Sequence, residues 1–250
     1  MANKVYGKPS CINDYAFTYC PGCGHGIVNR LLGEVIDEMG IVEDFIGSAY
    51  IGCAGMMTNF YDTDWMFPLH GRSPAVATGI KRVRPDNIVV CYQGDGDLAA
   101  IGTAEIVHVA ARGENLTVLF VNNGNYGMTG GQMAPTTPVG EPSTTGGKHR
   151  DPATTGYPLR ICEILDQMEA PVYIARCSLD SVPNIRKAKA CIRKALEYQR
   201  DDKGYCLIEF LSACPTNWKL PPLKALEHIR TVTIPVYPLG VIRDKGGEQA

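Results

Sequence analysis

Two short polar stretches at the ends of apolar segments carry residues that could bind a metal ion and a diphosphate. The residues are Gly94, Asp95, Gly96 and Asp97 in the first stretch and Asn122 and Asn123 in the second. Mg²⁺ is usually held by one or two oxygen-bearing side chains together with substrate phosphates, so Asp95 and Asn123 suit it. The glycines let a phosphate approach the backbone, and a helix starting near Asp97 would point its amides at the anion. Either stretch alone is an ordinary turn, but together they predict a site for a magnesium-bound diphosphate.

Four of the ten cysteines lie in turn-like stretches rich in glycine or proline, and these four are candidates for metal binding: Cys20, Cys23, Cys53 and Cys214. Disulfides are rare in cytosolic proteins. Ten cysteines in a cytosolic protein would therefore indicate metal binding or redox chemistry. Four thiolates suit either zinc or a [4Fe-4S] cluster. Cys11 stays unassigned, and the cysteines in helix- or strand-like segments are expected to be buried and inert: Cys91, Cys162, Cys177, Cys191 and Cys206.

Two histidines occur in glycine-containing turns. His70 stands beside Gly71 and Arg72, a pattern that suits an active-site loop in which His70 moves protons and Arg72 pairs with a carboxylate. The alternative is a surface turn with a salt bridge. His25 follows the CxxC motif, and we expect it to hydrogen-bond to backbone or to a diphosphate rather than to bind a metal.

Hydrophobic periodicity predicts the elements that position these residues. Apolar residues at helical spacing predict a helix from Ile27 to Met39 that ends at Gly40. The apolar runs 87–92 and 116–121 are typical of buried parallel strands, with a helix over 98–111 between them. Further helices and strands are predicted over 158–168, 171–176, 182–200 and 205–211. The fold class is therefore α/β, with a mostly parallel sheet, helices on both faces, and ligands bound beyond the carboxyl ends of the strands.

The length, composition and charge of the chain limit its domain organisation and the classes of partner it can bind. We expect one domain over 1–250, with the cysteine turn near its start, an extended tail from Pro215, and a Pro/Thr/Gly-rich loop over 133–157 that is functional or disordered. A formal charge of −2 and a pI near 6.2 give no electrostatic basis for binding nucleic acid. No apolar run approaches about 18 residues, and the first ten residues lack the apolar core of a signal peptide. We therefore expect a cytoplasmic protein without a membrane segment.

The spacing from GDG to NN resembles the thiamine diphosphate fingerprint, and further motifs make the chain similar to the β subunit of 2-oxoacid:ferredoxin oxidoreductases. These motifs are CPGCGHG, HGRSPAVATGIK over 70–81 and YGMTGGQMAPTT after the asparagines. The resemblance runs from about Tyr19 to Asp244 and implies a thiamine diphosphate-binding fold. It implies that Asp95, Asn123 and the carbonyl of Asn125 hold Mg²⁺. It also implies that one [4Fe-4S] cluster binds at the four cysteines, and that the turn after the metal loop lines the cofactor: Tyr126, Thr129, Gly130, Gly131 and Gln132.

The resemblance implies the coenzyme A-dependent oxidative decarboxylation of a 2-oxoacid, with electrons passed through the cluster to ferredoxin. Thiamine enzymes need a glutamate that promotes proton transfer around the cofactor, and no glutamate here has a motif for that role. We expect an α subunit to supply it, in a complex that could also contain γ and δ subunits.

The substrate follows less directly from the residues. The resemblance implies that Met56, Met57 and Met128 lie near the substrate. Such an adaptable apolar pocket favours a branched-chain 2-oxoacid such as 2-oxoisovalerate over 2-oxoglutarate, with pyruvate third. A dicarboxylate would need a cation for its distal end. The candidates for that cation are Arg72 and, in what reads as a solvated turn, Lys148 and Arg150.

Two other functions stay open. One is a non-oxidative thiamine diphosphate decarboxylase or synthase subunit, whose cysteines are structural or bind zinc. The other is a zinc-stapled scaffold subunit with a degenerate nucleotide pocket. The first needs only Asp95 and Asn123, and the second needs only the four cysteines.

Overall fold

A computed structural model describes residues 7–247 of the chain. The first six and the last three residues lie outside the described residues. The first six belong to the N-terminal stretch in which no signal peptide was expected. The main sheet has seven strands in the order β2-β1-β3-β4-β8-β7-β9. The strands of this sheet are β1 (Phe45–Ser48), β2 (Asp64–Met66), β3 (Ile88–Gly94), β4 (Thr117–Asn122), β7 (Tyr173–Ser178), β8 (Cys206–Leu211) and β9 (Gly240–Asp244). Only β9 runs antiparallel to its neighbour, and a separate antiparallel pair contains β5 (Asn125–Tyr126) and β6 (Gln132–Met133).

Helices cover both faces of the main sheet. The α-helices are α1 (Gly24–Met39), α2 (Ser73–Val83), α3 (Thr103–Ala111), α4 (Pro152–Thr155), α5 (Ile161–Asp166), α6 (Val182–Arg200), α7 (Pro215–Trp218), α8 (Pro222–His228) and α9 (Ile234–Val236). Other helical turns are a 3₁₀ helix over Gly52–Asn59 and π-helical turns over Asp97–Ile101 and Ile229–Thr233.

The core has two parts because the side chains of each buried strand alternate between the faces of the sheet. Val90 and Tyr92 of β3 pack with α1 and α6, whereas Val89 and Cys91 pack with α2, α3 and α5. Strands buried on both sides have no polar face, which is why β3 and β4 read as continuous apolar runs. The predicted α/β class, with a mostly parallel sheet between helical layers, is confirmed.

The segment after Pro215 differs from the extended tail expected from its prolines. It forms α7, α8, a π-helical turn and α9 before β9 joins the edge of the sheet. Pro215 and Pro222 are the first residues of their helices, where proline costs no hydrogen bond and its fixed φ suits the helix. These prolines therefore start helices instead of preventing them.

The long loop over 133–157 is organised by one buried side chain, so the expectation that Arg150 lies in a solvated turn is wrong. Arg150 is 5% exposed. Its guanidinium donates to six backbone carbonyls, those of Ala134, Pro135, Thr137, Thr155, Gly156 and Tyr157. All of its donors are used inside the loop, so this cation is not available to a substrate.

Candidate active site

A cavity of about 530 Å³ opens beside the carboxyl ends of β3 and β4, between the 3₁₀ helix and the loop that follows β4. Its wall contains many of the residues expected from the sequence: His25, Cys53, His70, Gly94, Asp95, Gly96, Asp97, Asn123, Asn125, Tyr126 and Thr129. Gly130, Arg72, Cys20, Cys23 and Cys214 do not line it. Parallel strands bring the two polar stretches together because β3 and β4 are hydrogen-bonded neighbours, with Gly94 opposite Val121.

Asp95 is a buried carboxylate to which the described part of the chain offers no counter-charge. It is 2% exposed, and it accepts hydrogen bonds from the amide of Gly96 at 2.8 Å and the hydroxyl of Thr136 at 2.8 Å. Burial raises the pKa of the Asp95 carboxyl to about 6, despite these donors. Within residues 7–247 no lysine, arginine or histidine forms an ion pair with it. A divalent cation would supply the missing charge, so the residue fits a Mg²⁺ ligand.

The asparagine loop beside Asp95 is held by its own side chains. The Oδ1 atom of Asn123 accepts from the amide of Asn125 at 3.2 Å, and the Asn125 side chain donates to the carbonyl of Asn123 at 2.9 Å. Asn122 points the other way, into the protein, and donates to Glu209 at 2.7 Å. The two asparagines therefore have different positions: Asn122 anchors the loop to β8, while Asn123 faces the cavity.

Sequence reasoning missed two groups that support this loop. Glu209 of β8 is fully buried and accepts from Arg176 at 2.7 Å as well as from Asn122, so an ion pair lies beneath the asparagines. Thr136 and Thr137, from the long loop, bind the Asp95 carboxylate and the carbonyl of Gly124 at 2.8 and 2.6 Å. These residues come from distant parts of the chain, and no local pattern marks them.

The glycines of the acidic turn have different surroundings. A Cβ atom on Gly96 would lie 2.2 Å from the ring of Tyr126, so this glycine is required by the packing of that ring. A Cβ on Gly94 would meet no atom within 4 Å. Gly94 therefore leaves open space at the cavity wall, and Gly96 is covered by Tyr126.

The turn after the asparagine loop is closed by its own hydrogen bonds. Thr129 donates to the side chain of Gln132 at 2.6 Å, and the amide of Gly131 donates to the carbonyl of Tyr126 at 2.9 Å. Gly130 has a φ of 110°, which favours glycine. Of this turn, Tyr126 and Thr129 reach the cavity wall.

His25 is buried beneath the cavity. Its Nδ1 lies 2.6 Å from the hydroxyl of Tyr92, and its ring stacks on Tyr19 with centroids 5.3 Å apart. Burial lowers the pKa of His25 to about 4, so the ring is neutral. A neutral, fixed imidazole at the cavity wall can exchange a hydrogen bond with a ligand but adds no charge.

His70 and Arg72 separate in space although they are neighbours in sequence. His70 lines the cavity and pairs through Nδ1 with Asp97, whose carboxylate also accepts from Gly71 and Gln93. Arg72 forms an ion pair with Glu105 of α3 outside the cavity wall. The structure therefore places Arg72 in the salt bridge that the sequence left as the alternative.

The four candidate cysteines come together at one edge of the cavity. Burial, together with the neighbouring thiols of Cys214, Cys53 and Cys20, raises the pKa of Cys23 to about 12. A Cβ on Gly127 would lie 3.4 Å from the sulfur of Cys53 and 3.6 Å from that of Cys214. Cys53 also lines the cavity, so the cysteine group adjoins the asparagine loop through Gly127. In the described part of the chain, no three histidine, cysteine, aspartate or glutamate side chains are placed to hold a single metal ion.

The other cysteines and the three candidate methionines differ in how deeply they are buried. Cys91, Cys162, Cys177 and Cys206, together with Cys11, are buried, and Cys191 is half-buried. Met56 and Met128 line the cavity, but Met57 is fully buried in the core, so its expected place in a substrate pocket is wrong.

Comparison with known proteins matches most of the chain to a described domain. Residues 49–210 match the family model "Thiamine pyrophosphate enzyme, C-terminal TPP binding domain". The chain is 40% identical to the 2-oxoglutarate synthase subunit KorB of Methanocaldococcus jannaschii, over 80% of this chain and 70% of that protein. The chain belongs to the thiamine pyrophosphate-binding subunits of the 2-oxoacid:ferredoxin oxidoreductase family. The resemblance stated from its motifs is confirmed.

Other members of this 2-oxoacid oxidoreductase family extend the comparison. The ketoisovalerate oxidoreductase subunit VorA of Methanothermobacter thermautotrophicus is 46% identical over 99% of this chain, and the chain spans only 54% of its length. The 2-oxoglutarate:ferredoxin oxidoreductase of Magnetococcus marinus, solved with 2-oxoglutarate, coenzyme A and succinyl-CoA bound, superposes with a TM-score of 0.75. That match has 26% identity and covers 96% of this chain and 86% of the other. Within residues 7–247, no helix is long and apolar enough to span a bilayer.

Proposed function

We propose that this chain is the β subunit of a 2-oxoacid:ferredoxin oxidoreductase, which decarboxylates a 2-oxoacid oxidatively and passes the acyl group to coenzyme A. The observation that carries the proposal is the position of Cys53, which belongs both to the four-cysteine group and to the wall of the cavity that contains Asp95. An oxidative reaction at a carbon-centred cofactor needs an electron acceptor close by. The shared cysteine supports that arrangement within one subunit.

Asp95 and Asn123, with the carbonyl of Asn125, would hold the Mg²⁺ of thiamine diphosphate. The buried, uncompensated charge of Asp95 and the asparagine oxygens beside it match the hard ligands that Mg²⁺ prefers. Thiamine diphosphate, when bound, supplies the means to cleave the bond between the carboxylate and the keto carbon. In this site His70 would hold or move a proton at its Nε2, and Tyr126 would cover the wall beside Gly96.

Cys20, Cys23, Cys53 and Cys214 would bind one [4Fe-4S] cluster, which supplies one-electron steps. Zinc requires four ligands at about 2.0–2.3 Å from one ion. A cluster instead spreads its cysteines over several irons. The four thiols are neighbours and Cys53 also lines the cavity, so a redox cluster there would lie beside the cofactor as an electron acceptor, a role that redox-inactive zinc cannot fill.

A partner subunit would complete the site. No glutamate of residues 7–247 lines the cavity, so the glutamate that thiamine enzymes use must come from elsewhere. Tyr50 and Met128 of the cavity wall are exposed apolar side chains, and so is Phe67, whose ring contacts that of Tyr50. The greater length of the VorA relatives is also consistent with additional segments acting beside this one. We propose an α subunit as this partner and ferredoxin as the electron acceptor.

A branched-chain 2-oxoacid such as 2-oxoisovalerate is the substrate that we favour over 2-oxoglutarate. The described wall of the cavity contains no arginine or lysine, and Ala54, Met56 and Met128 give it an apolar part. A distal carboxylate would be costly to bury there without a cation. The name of the VorA relative supports this substrate, whereas the names of the KorB relatives support 2-oxoglutarate.

The test is a comparison of kcat/KM for 2-oxoisovalerate, 2-oxoglutarate and pyruvate on the assembled complex, purified without oxygen, with coenzyme A and ferredoxin present. We expect all turnover to require coenzyme A and 2-oxoisovalerate to be preferred. Aldehyde release without reduction of ferredoxin would refute the oxidative reaction. A clear preference for 2-oxoglutarate would refute only the substrate assignment and would place the cation on the partner.

A further inference from the structure

Asp97 was expected from the sequence to bind the cofactor, but its carboxylate is occupied by three donors of the protein. Oδ1 accepts from the amide of Gly71 at 2.6 Å and also meets Nδ1 of His70. Oδ2 accepts from the side-chain amide of Gln93 at 2.6 Å. Asp97 is 9% exposed, and the other oxygen of Gln93 has no partner in the described residues, so the amide nitrogen is the end that faces the carboxylate.

This arrangement determines which nitrogen of His70 carries the proton. An ionised carboxylate only accepts hydrogen bonds, so Nδ1 of His70 must be protonated to meet Asp97. In a neutral imidazole the other nitrogen then bears the lone pair. His70 lines the cavity, and its Nε2 has no hydrogen-bond partner among residues 7–247.

Two glycines allow the turn that contains His70 and Gly71 (the histidine turn) to contact the segment that carries the Asp97 carboxylate. Gly71 has a φ of 78°, and a Cβ there would lie 2.6 Å from the amide nitrogen of Gly102. A Cβ on Gly102 would in turn lie 2.8 Å from the carbonyl oxygen of Gly71. Two glycines are therefore needed where the histidine turn meets the helical segment that begins at Asp97.

We infer that Asp97 is a positioning residue, which with Gly71 and Gln93 holds His70 as the Nδ1–H tautomer and leaves its Nε2 free to accept a proton from a group bound in the cavity. The reaction in which that proton moves rests on the proposed function. The tautomer does not, because it follows from the hydrogen bonds alone.

The first test reads the tautomer by ¹⁵N NMR on the full chain labelled at its histidines. The chain has five histidines, and the signals of His70 are identified by their loss in His70→Gln. We expect a protonated Nδ1 and an unprotonated Nε2 in the wild type. In Asp97→Asn we expect loss of this single tautomer, because an amide can also donate to Nδ1. A wild-type signal from the Nε2–H tautomer overturns the inference.

The second test measures steady-state kinetics and thiamine diphosphate binding on the assembled complex. We expect Asp97→Asn to lower kcat by at least about tenfold, a part of the roughly 10²–10⁴-fold that a positioned acid–base group contributes, while KM for the 2-oxoacid and the cofactor Kd change by less than about threefold. Gln93→Met, which removes one donor to Asp97 away from the cavity wall, should lower kcat less. If Asp97→Asn instead weakens thiamine diphosphate binding tenfold with kcat retained, Asp97 is a cofactor ligand and the inference fails.

Asp180→Asn is the matched control. Asp180 is also buried and accepts from several groups, namely Ser178, Asn184 and Arg230, but it does not line the cavity. We expect this variant to keep the wild-type tautomer and kcat. If His70→Gln has wild-type kcat although the tautomer is as expected, the arrangement stands but the proton-moving role is refuted. If no variant complex, including the control, oxidises any 2-oxoacid while the wild type releases aldehyde, the proposed function fails independently of the tautomer.

Discussion

Asp95→Asn is expected to stabilise the cofactor-free chain and to abolish its stabilisation by Mg²⁺ and thiamine diphosphate. Burial raises the pKa of this carboxyl from 3.8 to about 6, and a shift of about two units corresponds to about 3 kcal/mol of cost for the charged form. The amide removes that charge but loses one acceptor for Gly96 or Thr136, at about 1 kcal/mol. The net gain is about 2 kcal/mol, or a rise in Tm of about 4–8 °C for a chain of this size.

The pH dependence has a defined sign. Because the folded-state pKa lies above the ordinary value, the carboxylate destabilises the folded chain fully above about pH 6. This cost disappears as the pH falls below about 4, where Asp95 is protonated in both states. The advantage of Asp95→Asn should therefore be largest at pH 8 and should shrink as the pH is lowered towards 4.5.

Calorimetric unfolding of the full chain measures both effects. With the cofactors at about 100 times Kd, the wild type should gain about 2.7 kcal/mol and the variant almost none. Asp180→Asn is the control of opposite sign: despite burial, hydrogen bonds from Ser178, Asn184 and Arg230 lower the pKa of Asp180, so its variant should be less stable at pH 8. The reasoning is refuted if Asp95→Asn is less stable than the wild type without cofactors and still gains the full stabilisation with them.

Three further outcomes are expected. Cys23→Ser or Cys214→Ser should remove most of the iron from the anaerobically purified complex while thiamine diphosphate still binds, whereas Cys91→Ser, in the core, should keep full iron; retention of iron in Cys214→Ser would contradict the cluster assignment. Glu209→Ala should lower the free energy of unfolding by about 1.5–3 kcal/mol because the buried Arg176 loses one of its two carboxylate partners and keeps only Glu163, and it should weaken Mg²⁺ binding through Asn122; unchanged denaturant midpoints would count against the buried pair. The isolated chain should oxidise no 2-oxoacid until the α subunit is added, and turnover by the purified chain alone would exclude the need for a partner glutamate.

The central elements could be predicted because their sequence patterns have direct physical causes. β3 and β4 are buried on both faces, so their residues are uniformly apolar, and the polar turns at their ends must meet because the strands are neighbours. Gly40 ends α1 in a left-handed conformation, as its position after the apolar repeat indicates.

The parts that could not be predicted depend on contacts between distant residues. Thr136 contacts Asp95 from 41 residues away and Glu209 contacts Asn122 from 87 residues away, and nothing in their own surroundings marks them. Arg150 reads as exposed because charged residues in polar loops usually are, yet six carbonyls of its own loop surround it. Arg72 lies two residues after His70, but it is the residue that precedes the first turn of α2, and its side chain pairs with Glu105 of α3.

The most direct test of the proposed oxidoreductase is the cofactor content of the assembled complex, purified without oxygen and analysed for iron, acid-labile sulfide, zinc, magnesium and thiamine diphosphate. For each copy of this chain we expect one thiamine diphosphate with Mg²⁺, and about four irons and four sulfides at Cys20, Cys23, Cys53 and Cys214 beyond those of any other subunit. These four irons should be absent when Cys214→Ser is analysed in parallel. One zinc per chain, with no iron or sulfide lost in that variant, would contradict the account.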